Sequence, residues 1–321
     1  MQHPILYIFI FLLLITSCKE EGQKDLIFTE ANSPHHITEH IETAIGQAII
    51  IEPGAKLIIG DKINIVAFGD VTIKGTEDKP IVIEAKNPLP GWGYLKLKNE
   101  SKKFVIEHTT TKHGVVTSYN SDNYFNKVTF INGQDLNWEW AVARFWFGKV
   151  LIENCTATGV NKVEGFLLHD VDDPIVRHNK FEKIPDAVEF INCDRGEITS
   201  NVMSNSIDDG IDLNGCNNTV IKGNKITNYK NAGMEIGSEN FGRSSDIMVE
   251  GNEITGCAIG FYLKESSTST FKSNVLKDVK VGLDISTPKD STIMTQALMA
   301  GNSIEFIEQR VKRDERSVVK D

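Results

Sequence analysis

A short apolar strand that ends in Asn recurs through most of this chain. It closes at Asn132, Asn154, Asn179, Asn201, Asn224, Asn252, Asn274 and Asn302, and His108 holds the equivalent place one turn earlier. Successive steps run from 22 to 28 residues. A second marker runs in phase with the first: a small residue followed by a strand with apolar, any, apolar spacing. It begins at Gly165, Ala187, Gly210, Gly233, Gly260 and Gly282. Two markers that share one period define a repeat architecture.

The contents of the repeat select which one. Each unit holds two or three strands of three to five residues with period-2 alternation, rich in Val, Ile and Phe, and a helical 3.6 period is absent. One such turn cannot bury its apolar side alone, but stacked turns share a continuous core, with equivalent residues about 4.8 Å apart. Asn suits the repeated corner because it tolerates the left-handed conformation and its side chain can bond the next copy. A leucine-rich solenoid would show its own Leu spacing and often a helix per repeat, and a propeller would need blades of about 40 residues.

The stacked Asn corners resemble the Asn ladder of the pectate-lyase-like β-helix superfamily. The runs Ala48 to Gly60, Ile63 to Ala85 and Gly91 to Asn99 resemble the opening turns of many secreted β-helix proteins. The resemblance covers roughly residues 40 to 304 and implies an all-β fold, a single-stranded right-handed parallel β-helix solenoid of about a dozen turns. The expected organisation is a lipoprotein signal peptide over 1–17, a lipidated Cys and tether over 18–35, the β-helix over 36–304 and a charged C-terminal cap or tail over 305–321. The superfamily includes lyases, hydrolases, epimerases, adhesins and inert scaffolds, so function has to come from a site.

Ile5 to Ile15 is an unbroken apolar run of eleven residues, too short to span a bilayer and right for a signal-peptide core. It leads into Ile15-Thr16-Ser17-Cys18, which resembles a bacterial lipobox, although Met1 to Pro4 carries no Lys or Arg. The resemblance implies that Cys18 is lipidated and that the membrane is engaged through this anchor only. Lys19-Glu20-Glu21 is similar to the export signal of Bacteroidota surface lipoproteins, which implies an outer-membrane lipoprotein exposed at the cell surface. A formal charge of −10 disfavours nucleic acid, which needs a basic surface. No sequence feature sets an oligomeric state.

The second marker sets a register for outward side chains. With Ile211 and Leu213 facing the core, Asp212 and Asn214 face solvent. The same register stacks Glu189, Asp212 and Glu235 on three consecutive turns, with Arg144 and Leu167 above them and Tyr262 and Asp284 below. Trp146, His169 and Lys264 fall in the neighbouring column, and Asp186 and Asp209 lead into the strands. Like charges at this spacing raise one another's pKa or recruit a cation.

Two chemistries follow. Glu189, Asp209, Asp212 and Glu235 offer oxygen ligands to Ca²⁺. In lyases of the superfamily such an ion neutralises a uronate carboxylate while a base abstracts the α-proton, and the resemblance makes Lys264, Arg144 and His169 the candidate bases. Alternatively the acids form a glycosidase pair, with adjacent turns giving about the 5 Å of a retaining pair and two turns roughly the 9 to 10 Å at the inverting limit. Trp146, Asn214 and Tyr262 are the candidate substrate contacts, the aromatic ones by stacking on sugar rings. The partner expected in the first case is an acidic polysaccharide. The rival class is a non-catalytic adhesin, scaffold or glycan-binding protein. The longer turn Ser238 to Ser245, which carries Arg243, falls beside Glu235, where walling the groove and a tolerated insertion are equally compatible readings.

Other features carry less. His35 and His36 read as a surface loop, and His113 and His178 lack identifiable partners. Cys193 and Cys216 occupy equivalent places on successive turns, where a disulfide and stacked thiols are both compatible with the spacing. Trp92 reads as structural, and Trp138 and Trp140 as core or binding aromatics. No CxxC pair, Gly-rich phosphate loop, HExxH helix or GxSxG elbow is present.

Overall fold

Each repeat forms one rung of a parallel β-coil. The computed structural model describes residues 24–98, 102–133 and 141–321. Every ladder between strands of the coil is parallel, and each strand bonds to the strand one repeat away, as Val188–Ile191 does to Ile211–Asn214. Three strand columns result. The column that carries the candidate acids has twelve rungs, from Glu42 through Val66, Lys96, Thr117, Arg144, Leu167, Glu189, Asp212, Glu235, Tyr262 and Asp284 to Lys312. Among the described residues the one helix is the short 3₁₀ turn Glu30–Asn32.

Period-2 alternation drives one face of every strand inward. Val71, Ile73, Ile81, Ile211, Leu213 and Ile236 are fully buried, and the inward residues of all rungs merge into one core. Aromatic residues stack along its axis, with Phe125 edge-on to Phe104 and to Phe145 at 5.2 Å each. Trp92 is buried and its Nε1 donates to the Lys112 carbonyl at 2.8 Å, a structural role. His35 packs edge-on to Phe28 and bonds the Thr29 carbonyl, so it too is structural.

The Asn ladder is present, but its members and its reason differ from the expectation. It runs through Asn179, Asn201, Asn224, Asn252, Asn274 and Asn302, each Oδ1 accepting both the backbone N–H and the side-chain amide of the preceding Asn where there is one. These Asn are not the left-handed residues. That conformation falls one position earlier, on His178, Ser200, Gly223, Gly251, Ser273 and Gly301. The ladder residues are kept by side-chain bonding in a buried corner, where an unpaired amide would be costly. Asn154 aligns with His178, and Asn132 belongs to a different corner.

The ends also differ. Leu26–Phe28 pairs with Ile49–Ile51, and His35–Ile37 pairs with Leu57–Ile59, so the coil begins inside the expected tether. Phe28 and Ile37 are the reason, because they cover the first layer of core. At the other end Ser303–Arg313 pairs with Val275–Ile285, and Val318–Lys320 with Gln296–Leu298, so strands continue through the segment 305–321. Register shifts near Val279 break its alternation, which hides the strand behind charged residues. Cys18, the leader, Lys19 to Glu21, Trp138 and Trp140 lie outside the described residues.

Candidate functional site

The register places Glu189, Asp212 and Glu235 on consecutive rungs of one outward column. The strand just before each inward residue adds a second row of acids. Asp186 and Asp209 are equivalent, and Asp209's backbone N–H donates to Asp186 Oδ1 at 3.0 Å while Ala232's donates to Asp209 Oδ1 at 2.6 Å. Glu164, one rung above, completes that row, and the charge of Glu189 acts on its carboxyl.

Asn214 links the two acids of the outer column. Its amide donates to Glu189 Oε1 at 3.0 Å and to Asp212 Oδ2 at 2.8 Å. Asp212 keeps some solvent contact, yet its Oδ1 is sealed from water and has no hydrogen-bond partner. Lys264 Nζ closes on Glu235 Oε1 at 2.5 Å, with both side chains largely covered. His169 Nδ1 lies 2.7 Å from Asp170 Oδ2.

Burial and mutual repulsion set the protonation of this cluster. Burial, then the charges of Glu189 and Asp186, pushes Glu164 up to about 10. Burial and Asp208 push Asp186 up to about 7. Asp209 is raised well above the usual carboxylate range by burial and Asp186, and Asp212 by burial and Glu189. Glu189 is also raised by burial, against the pull of its bonds from Glu164 and Asn214 and the charges of Arg144 and His169. For Lys264 burial works downward, but the bond and charge of Glu235 override it and the ammonium is held above its ordinary value.

The turn after Glu235 does wall this column. Ser238 and Gly242 pair antiparallel, with N–H to carbonyl distances of 3.0 and 2.7 Å. The tip carries Phe241 back toward His169, ring centroids 5.9 Å apart. Gly215, at φ 69°, lets the Phe241 carbonyl come close, since a Cβ there would lie 2.7 Å from it. The result is an open depression of about 420 Å³, floored by Glu189, Asp212, Asn214, Glu235 and Lys264 and walled by residues 238–241.

Other expected site residues lie around it. Arg144 is buried and stacks on the Trp146 ring at 3.9 Å, two rungs above Glu189. Tyr262 lies below Glu235, with Lys264 Nζ 5.1 Å from its ring centroid. The expected metal ligands do not form one group. Among the described residues, the acids whose oxygens all lie within 4.8 Å of one another are Asp186, Asp208 and Asp209, of which Asp209 belongs to the expected set. Cys193 and Cys216 are buried free thiols that point at the carbonyls of Leu168 and Phe190, so no disulfide links them.

Glu164 and Phe241 are additions. Glu164 was readable, since Glu164-Gly165, Asp186-Ala187 and Asp209-Gly210 repeat an acid before the small residue in phase. Phe241 sits in a non-repeating turn, and no periodic signal announces it.

A family model described as a right-handed β-helix region matches residues 141–244 and 164–308, together more than half of the chain. No curated protein matches. Among solved structures, an alginate lyase from Paenibacillus sp. str. FPU-7 is 11% identical, with 93% of this chain and 98% of that chain covered and a TM-score of 0.41. A periplasmic alginate epimerase is 12% identical over 82% and 79%, TM-score 0.47. A mannuronic-acid-specific family 6 polysaccharide lyase from human gut microbiota is 13% identical over 91% and 83%, TM-score 0.45.

Proposed function

The chain belongs to the right-handed β-helix family, a fold that leaves chemistry to the site it carries, and we propose that it is a polysaccharide-cleaving enzyme whose scissile bond lies over Asp212 and Glu235. The observation that carries this is the pairing of unlike acids on adjacent rungs. Asp212 lines the depression and is driven to keep its proton, while the Glu235 carboxylate is held in an ion pair by Lys264. A carboxyl that keeps its proton beside a carboxylate tied to an ammonium offers the acid and the nucleophile that glycoside hydrolysis needs.

The sequence puts β-elimination first; the geometry favours hydrolysis. Lys264 is bound to Glu235 and holds its proton, and Arg144 is charged at any working pH, so neither is placed as a base. Adjacent rungs are about 4.8 Å apart, near the separation of a retaining pair. Asp212 gives its proton to the glycosidic oxygen as the C–O bond breaks, and Glu235 attacks the anomeric carbon. Water, deprotonated by the Asp212 carboxylate, then hydrolyses the glycosyl ester. Lys264 orients Glu235 throughout.

Ca²⁺-assisted elimination is the second reading, supported by the convergence of Asp186, Asp208 and Asp209. Hard oxygen donors at that separation suit Ca²⁺, and their free lone pairs could hold it. His169, whose Nδ1 lies 2.7 Å from Asp170 Oδ2, is then the base. In either case the enzyme is proposed to work at the outer surface of the outer membrane, held by acyl chains on Cys18.

The test is a panel of acidic and neutral polysaccharides with Ca²⁺ or chelator, following new reducing ends and unsaturated-uronate absorbance together. Reducing ends without absorbance, with retained anomeric configuration by NMR, are expected. Absorbance that requires Ca²⁺ would replace hydrolysis by elimination. Neither signal on any polymer would leave the binding-protein reading.

A further inference from the structure

The end of the coil formed by Ser303–Arg313 and Val318–Lys320 is paired on one side. Its strands bond to Val275–Ile285 and Gln296–Leu298, and among the described residues nothing pairs with their other edge. Their inward residues continue the core, because Ile304 follows Leu276, Phe306 follows Val279, Val311 follows Leu283 and Val319 follows Ala297. One rung in, Leu276, Val279 and Leu283 are fully buried, whereas Phe306 is 43% exposed and Ile307, at the corner, is 68% exposed. At the opposite end of the coil the inward Phe28 and Ile37 are buried, so the two ends differ. An unpaired strand edge around an uncovered apolar layer is a template for adding strands.

The charges on this rung supply an independent observation, because they are sorted by sign. Glu305 and Glu308 come first, and Arg310, Lys312 and Arg313 follow once the chain has turned the corner. Lys312 Nζ holds Asp284 Oδ2 at 2.7 Å, yet its side chain stays 60% exposed. Among the described residues Glu305, Glu308, Arg310 and Arg313 form no ion pair. Charges that only guard an edge against aggregation need no order along the strand. An acidic arm followed by a basic arm is self-complementary when the strand meets an antiparallel copy of itself.

We propose that this end docks a second copy of the chain, end to end, about a two-fold axis through the corner between Phe306 and Gln309. The rotation lays the strand before the corner, antiparallel, on the strand after the corner of the other copy. It also turns Val318–Lys320 antiparallel onto its own equivalent. Phe306 then faces Val311 of the second copy, so the two apolar layers close into one core. Glu305 faces Lys312 of the second copy, and opposite charges directly across an antiparallel pair are favourable where like charges are not. The contact uses each open end once, so it closes as a dimer and does not propagate into a fibre. The column that carries the acids in one copy runs into a different column of the other. The two depressions therefore stay separate, and the dimer does not depend on any chemistry at them.

The test is the solution mass, by light scattering over a concentration series, of the full chain carrying Cys18→Ala, a change that touches no strand of the coil. Twice the chain mass is expected. Glu305→Arg with Glu308→Arg makes both arms basic, and Arg310→Glu with Arg313→Glu makes both arms net acidic while leaving the Lys312 bond to Asp284. Each double variant alone weakens dimerisation by at least about tenfold. An equimolar mixture of the two restores a dimer containing one copy of each, which also shows that both variants are folded. A parent protein that stays monomeric at every concentration overturns the proposal. So does a dimer that both variants form as tightly as the parent, or a mixture that stays monomeric.

Discussion

At the scale of single residues, the site is a set of acids whose proton affinity is set by burial. Asp186 shows the consequence for stability. Its folded pKa is raised to about 7 from 3.8, by burial and the charge of Asp208. Between those values the folded state binds more protons than the unfolded chain, so stability declines as pH rises through that window and levels off above it. Asp186→Asn removes the ionisation and keeps an acceptor for the Asp209 N–H. The variant should lose less stability between pH 4 and 7 and gain on the order of a few kcal/mol at neutral pH. Denaturant titrations at a series of pH values check this, and parallel curves for the two proteins would contradict it. Glu164 and Asp209 act in the same direction, so a site in which several acids share few protons is a stability cost retained where chemistry uses it.

At the scale of elements, the corners hold the coil together. Asn224 accepts from Asn201's N–H and amide and donates to Ile198's carbonyl and to Asn252. Asn224→Ala strands buried partners on both neighbouring rungs and should cost about 3 kcal/mol in equilibrium unfolding. The same change at exposed Asn218 should cost well under half of that. The repeat made the rungs and the outward register legible, because a period-2 strand leaves no choice about which side Asp212 takes. It did not reveal which corner residue is left-handed, since Asn fits both roles and only the bonding pattern separates them. The strands at Leu26 and Ser303 were hidden because end rungs bury one side only and are rich in charge. Lys264's pairing with Glu235, and the return of Phe241 over the column, depend on side-chain reach and loop path, which periodicity does not encode.

At the scale of the whole molecule, one face of a twelve-rung coil passes from cationic and aromatic rungs to acidic ones. A rigid stack presents such a face to an extended polymer without rearrangement. The proposed anchor is separate from this face in sequence, so it can be tested alone. Cys18→Ala should move the protein from the membrane fraction to the soluble fraction while leaving its folding unchanged; a variant that still sediments with membranes would contradict a lipid anchor at that residue. The central claim is that Asp212 and Glu235 cleave a glycan. Its most direct test is reducing-end release from the polysaccharide that wild type turns over, compared with Asp212→Asn and Glu235→Gln under saturating substrate. The account predicts that each substitution lowers turnover by at least about a hundredfold, with little change in glycan affinity. Turnover within a few-fold of wild type in both variants would contradict it.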